Sequence, residues 1–187
     1  MANRTGTYVA FDGLGTVDPT QSDFTYYSLM QAWNANKKIE FNFTNSHEKT
    51  DAVRDDSKRE TLKRRICERL SRSKNMVVIL SDQTRKSGSM LSFEIRKAVD
   101  YYEIPLIVAY PAYKYILFPA KHSDVWPDAL RYRIENKTAQ AIHIPFNKTV
   151  LWDAISQFGV NATQLDGGLN YYTRSTYEKW GIIKHNS

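Results

Sequence analysis

The sequence predicts an α/β fold: an open, mostly parallel sheet of five strands with helices on both faces. Three observations carry that expectation. Strand-like and helix-like segments alternate about five times along the 187 residues. Two of the strands, MVVIL (76–80) and IPLIVAY (104–110), are apolar throughout, the pattern of strands covered on both faces. Short β-to-α loops are what parallel neighbours joined by crossover helices require.

Each element has a local justification. GTYVAF (6–11) is a β-rich run closed by Asp12-Gly13 and reads as the first strand. After a loop of turn residues, Ser22 or Asp23 caps a helix that carries Phe24, Tyr27, Met30 and Trp33 inward, with Leu29 filling in, and ends near Asn36. KIEFNF (38–43) alternates Ile39, Phe41 and Phe43 and predicts the second strand, followed by a polar loop over 44–57. The basic stretch from about 58 to 72 makes a helix with Leu62, Ile66, Cys67 and Leu70 inward. MVVIL, the polar loop SDQTRKSGS, a helix over 90–102 and IPLIVAY follow in turn. Residues 125–134 predict a short helix with Pro127 in its first turn, AIHIPF (141–146) a last strand, and Thr149 to Phe158 a last amphipathic helix. The whole chain reads as one domain with its core over about 6–158. The extension 159–187, holding Tyr171, Tyr172, Tyr177 and Trp180, is too apolar for a linker and is expected to pack on that core. This order is that of a flavodoxin-like open sheet, in which ligands collect beyond the carboxyl ends of the strands. Phe11, Asp12, Gly13, Ser81, Asp82 and Tyr110 share that rim.

Composition narrows the function. A 42% hydrophobic and 25% charged chain is that of a soluble globular protein. Its longest apolar run is five residues, far short of a membrane span, and the N-terminus lacks the apolar core of a secretory signal, so the expected compartment is the cytoplasm. The five N-x-S/T sequons then carry no meaning beyond composition. A lone Cys67 builds neither an internal disulfide nor a cysteine metal site, and the four histidines lack metal spacing. The net charge of +6 invites nucleic acid, yet much of it sits in KRETLKRRICERLSRSK (58–74), where a solvated helix face explains it equally well. The same charge suits a polyanionic small molecule such as a dinucleotide. A phospho-receiver reading rests on Asp12, Asp82 and Lys148 but lacks the paired acids that hold Mg²⁺. No Walker loop, nucleophile elbow or dinucleotide glycine motif is present.

One residue stands out. In SGSMLSFEIRKAV (87–99), Glu94 sits among Met90, Leu91, Phe93, Ile95, Ala98 and Val99. At about 100° per residue it falls just off the buried arc of Leu91, Ile95, Ala98, Val99 and Tyr102. A glutamate there is partly desolvated and needs a partner, such as Lys97 or Arg85, or a task. Burial raises its pKa, while the helix dipole and a basic neighbour lower it. Work as an anion at pH 7 requires the lowering effects to win, which is the expectation here.

The run ERLSRSKNMVVILSDQTRKSGSMLSFEIRKAVDYYEIPLIVAY resembles the TIR domain, especially its bacterial TIR-like branch of Thoeris-type antiphage defence. The order of a helix ending near Arg69–Lys74, MVVILS, Ser87 to Ser89, FEI and IPLIV carries the likeness, and GTYVAFD matches the first strand. The sequence departs from the pattern in four places: Met90 stands where the family has an aromatic, Gly88 where it has a serine, Asp12-Gly13 where it has a serine-rich loop after the first strand, and the loop after the second strand lacks the usual Gly-Pro. The resemblance implies that Glu94 is the catalytic glutamate that breaks the nicotinamide–ribose bond of NAD, giving ADP-ribose or a cyclic messenger. It also implies Phe11, Asp12, Gly13, Ser87, Ser89 and Met90 as the lining of the site. No cofactor is called for, since NAD is the substrate. Self-association and a downstream effector protein are the expected partners. A non-catalytic TIR-like adaptor, working through protein–protein contact, is the rival, and Met90 and the basic surface favour it.

Overall fold

The computed structural model describes residues 4–15, 22–35, 43–45 and 56–184. Among them the chain runs β1 (Gly6–Ala10), α1 (Phe24–Ala35), β2 (Phe43–Asn45), α2 (Asp56–Leu70), β3 (Ser73–Ile79), α3 (Met90–Asp100) and β4 (Leu106–Tyr110). A 3₁₀ helix (Pro119–Val125), α4 (Asp128–Glu135), β5 (Ala141–Pro145), α5 (Lys148–Gln157), β6 (Asn170–Tyr171) and α6 (Arg174–Lys179) complete it. The strand order is β2-β1-β3-β4-β5-β6, and every neighbouring pair is parallel. The first five strands make the flavodoxin-like sheet that the alternation predicts. The sixth, two residues long, comes from the C-terminal segment and continues the sheet beyond β5. The predicted second strand falls mostly outside the described residues, which resume at Phe43.

Side-chain alternation divides the core. Tyr8, Ala10, Met76, Val78, Leu106 and Val108 face one way, against Ile66 and Leu70 of α2, Leu91 and Ile95 of α3, and Leu130 of α4. Val9, Phe11, Val77, Ile79, Ile107 and Ile142 face the other, against Tyr27 and Met30 of α1, Leu151 and Ile155 of α5, and Tyr177 of α6. Central strands apolar on both faces are the direct result. Leu29 is the exception to the predicted inward set: it is 42% exposed, on the flank of α1.

Asn75 and His143, two polar groups that enter this core, are satisfied. Fully buried Asn75 accepts from the Thr7 hydroxyl at 2.8 Å and donates Nδ2 to the carbonyls of Ile155 (3.0 Å) and Phe158 (2.6 Å), serving oxygens that the end of α5 leaves free. Buried His143 lies between Tyr110 Oη (2.7 Å) and the Gly168 carbonyl (2.9 Å), and Trp126 Nε1 donates to that same Tyr110 oxygen at 2.7 Å. A carbonyl only accepts, so Nε2 carries the proton and Nδ1 accepts from Tyr110. Burial holds the ring neutral and pushes its pKa down to about 4. This chain of bonds fastens β4, β5 and the segment after residue 158 together. Beside it the Ala141 amide donates to the Gly167 carbonyl (2.8 Å) and Asn170 Nδ2 to the Ala141 carbonyl (3.1 Å). Tyr177, fully buried, seats the segment in the second core.

Candidate functional site

The chain leaves β1 toward β2 on one side and β3 toward β4 on the other, so the order of the sheet reverses between β1 and β3. The carboxyl ends of these two strands form the crevice where ligands of open parallel sheets bind. Asp12 ends β1 there, and the loop 80–89 leaves β3 beside it.

Asp12 is 1% exposed and fully engaged. Its two oxygens grip Arg85 from Nε (2.8 Å) and Nη2 (2.7 Å) and also accept the backbone amides of Leu14 and Arg85, each at 3.0 Å. Burial pushes its pKa up, but the Arg85 fork and the two amides outweigh it and hold the carboxyl below the usual range. The Leu14 bond spans two residues and folds the backbone back, with Leu14 at φ 52° and Gly15 at φ 71°. The Asp-Gly turn and the ion pair are therefore one feature: Asp12 pins the loop after β1 to the loop after β3.

Glu94 lies deeper, in the second turn of α3, and is also 1% exposed. Tyr8 Oη, from the middle of β1, donates to its Oε1 at 2.7 Å. Its Oε2 has no hydrogen-bond partner among the described residues. Burial pushes the pKa up to about 7, the Tyr8 bond pulls against it, and the charge of Asp12 adds to the rise. The sequence expectation of an anion lowered by Lys97 or Arg85 does not hold. Arg85 is committed to Asp12, and the Lys97 ammonium sits over the rings of Phe93 and Tyr101, at 5.9 and 5.3 Å from their centroids. Desolvation is left to decide. It wins.

A parallel sheet in this order, with a buried glutamate in the helix after β3, is the arrangement the sequence resemblance implies. The family model described as "Thoeris protein ThsB, TIR-like domain" matches residues 8–115, more than half of the chain. The chain belongs to that family. It is a TIR-like protein of the Thoeris antiphage-defence type. The match spans the elements that build the rim, from β1 through β4, and ends before the 3₁₀ helix.

The other residues named from the sequence fall in three places in the TIR-like fold. Asp12 and the half-buried Gly13 lie on the rim, close enough for the Asp12 charge to act on Glu94. Phe11 packs in the opposite core, stacked on Tyr27 with ring centroids 5.8 Å apart. Ser87 is exposed, while Ser89 and Met90 line a separate cavity between α2 and α3. Two residues of the site escaped sequence reading. Tyr8 was legible only as a strand residue, although its place in GTYVA puts it on the α3 face. Asp23, read as a helix cap, is a buried rim carboxyl. Burial pushes its pKa up to about 6, against hydrogen bonds from Ser81 and Thr84 and with the charges of Asp12 and Asp82 adding to the rise. Among the described residues no helix is long and apolar enough to cross a membrane.

Proposed function

We propose that this TIR-like chain cleaves NAD at the nicotinamide–ribose bond, leaving ADP-ribose or a cyclic ADP-ribose messenger, in the bacterial cytoplasm during antiphage defence. Glu94 carries the reading. It is a buried carboxyl beneath the switch-point rim, held by one hydrogen bond, with its second oxygen unpartnered and its pKa pushed to about 7. Buried, poised carboxyls of this kind concentrate at reaction centres.

The chemistry asks little else. The C–N bond breaks with its electron pair leaving on nicotinamide, which departs neutral because the pair discharges its pyridinium nitrogen. No acid is needed. The positive charge developing at the ribose is stabilised by the Glu94 anion, as a carboxylate stabilises the oxocarbenium-like state of glycoside hydrolysis. Water, or a nucleophilic atom of the same molecule, then adds to the sugar carbon. Tyr8 fixes the orientation of the carboxyl and leaves Oε2 available to the sugar. At 1% exposure Glu94 meets substrate only after its cover shifts, and self-association is the event that reshapes it. The product then acts on a downstream effector protein.

The test is to incubate assembled protein with NAD and follow nicotinamide by chromatography. Equal release by wild type and Glu94→Gln ends the assignment. A second reading, a non-catalytic adaptor, is favoured by the same burial, since the Tyr8–Glu94 pair also serves as a structural hydrogen bond across the core. An adaptor self-associates or binds an acidic partner without consuming NAD, and Glu94→Gln leaves that binding intact.

A further inference from the structure

On the face of α3 turned toward α2 lies a cavity of about 420 Å³, distinct from the position of Glu94. Arg59 and Lys63 of α2 and Arg96 of α3 line it, with no acid among its described lining residues. Lys63 also pairs with Glu60 at 2.7 Å, itself 72% exposed. Ser89 and Ser92 are among its lining residues, only 8% and 6% exposed, and neither buried hydroxyl has a hydrogen-bond partner among the described residues. Buried hydroxyls without partners are uncommon and costly. Ser89 is also the N-cap of the 11-residue α3, with extended backbone at φ −89° and ψ 161°, yet its side chain makes no capping bond. The first-turn amides of α3 thus lack the acceptor such a serine ordinarily supplies.

Two idle hydroxyls, an uncapped helix start and three cations share one shortage: an acceptor bearing negative charge. We infer that this cavity binds the phosphate of a nucleotide. A phosphoryl group accepts from the first-turn amides, where the helix dipole favours an anion, and from Ser89 and Ser92 once their buried hydroxyls turn toward it. Arg59 and Arg96, with Lys63, neutralise it as charge-assisted donors. The volume exceeds what a bare phosphate fills and lies in the range of small-molecule sites. Met90 and Phe93 give it an apolar wall for a nucleoside. This also assigns a task to part of the basic stretch of α2. The inference stands apart from NAD cleavage, because none of these residues touches Glu94 through a hydrogen bond or ion pair.

Calorimetric titration of the full chain with AMP, adenosine and inorganic phosphate, at low and high salt, tests it. AMP is expected to bind at least about tenfold more tightly than adenosine, and more weakly as salt rises. The Arg59→Ala/Arg96→Ala double variant, altered at two exposed positions, is expected to lose at least about tenfold in AMP affinity while keeping its melting temperature. Ser92→Ala is expected to lose a few-fold. Glu94→Gln is expected to bind AMP like wild type, which separates this site from the proposed cleavage. Competition between AMP and NAD for wild type identifies the natural source as the dinucleotide's own phosphates, and its absence as a separate nucleotide; both results retain the site. No AMP binding at low salt, or equal binding by the double variant, overturns it.

Discussion

Asp12 and Glu94 are equally hidden, each 1% exposed, yet the protein treats them in opposite ways. Asp12, on the rim, has a guanidinium fork and two backbone amides, and its pKa falls. Glu94, beneath the rim, has one phenol and a free oxygen, and its pKa climbs to about 7. Exposure is the same, but Glu94 lies deeper beneath the rim and has fewer donors. A carboxyl surrounded by donors is committed to holding loops together, whereas one left short of them remains chemically available. The first is architecture; the second is what the proposed cleavage draws on.

The largest expected effect is on chemistry. Glu94→Gln should lower nicotinamide release by assembled protein about a hundredfold or more, the scale of losing a charge aimed at the transition state. Its melting temperature at pH 8 should be unchanged or slightly higher, since a neutral amide replaces a carboxyl that burial disfavours ionising. A large loss of stability instead would mark the Tyr8–Glu94 pair as structural. Next comes Asp12→Ala, expected to cost about 2–3 kcal/mol in urea denaturation. It strips two backbone amides of their acceptor, while Arg85, 45% exposed, recovers part of its loss in water.

A smaller effect lies in the pH profile. Cleavage through the Glu94 anion should fall as pH drops through about 7. Asp12→Asn removes a charge that raises that value, so the midpoint of nicotinamide release should move down. Tyr8→Phe removes a bond that lowers it, so the midpoint should move up. Shifts in the same direction for both variants would break the comparison. The smallest effect is on stability. A folded-state pKa of about 7 against 4.5 unfolded makes the Glu94 contribution fully present below about 4.5 and lost as pH rises toward 7. The depressed Asp12 works the other way, with its contribution lost as pH falls through its folded value. Thermal melts of Glu94→Gln across pH 4.5–8 should therefore decline less with rising pH than those of wild type.

What the sequence revealed of this arrangement follows from which forces are local. Strand and helix identities were readable because apolar periodicity reports burial directly: MVVIL could only be a central strand, and Val150, Leu151, Ala154, Ile155 and Phe158 could only face inward. Glu94 was found for the same reason, as a charge off-pattern in a buried helix. Its partner was not. Tyr8 stands 86 residues away, and only the β1–β3–α3 geometry brings the two together. Arg85 was correctly weighed as an ion-pair donor but toward the wrong carboxyl, because the choice between Asp12 and Glu94 depends on how the loop 80–89 folds back. The cavity beside α2 was invisible for another reason. Its serines look like ordinary turn and cap residues until their hydroxyls prove to have no partner among the described residues.

The two-residue strand β6 has a consequence for biosynthesis. It lies 25 residues after β5 ends, so β5 is made, and pairs with β4, before its outer edge has a neighbour. Until Asn170 and Tyr171 arrive, that edge offers free backbone donors and acceptors to any other unfinished chain, which is the usual route to aggregation on the ribosome. The Gly168 carbonyl waiting for His143 and the Asn170 amide reaching Ala141 then act as the latch that closes the nascent fold. Chains released before residue 170 should be recovered mainly as aggregates, however sound the rest of their sheet.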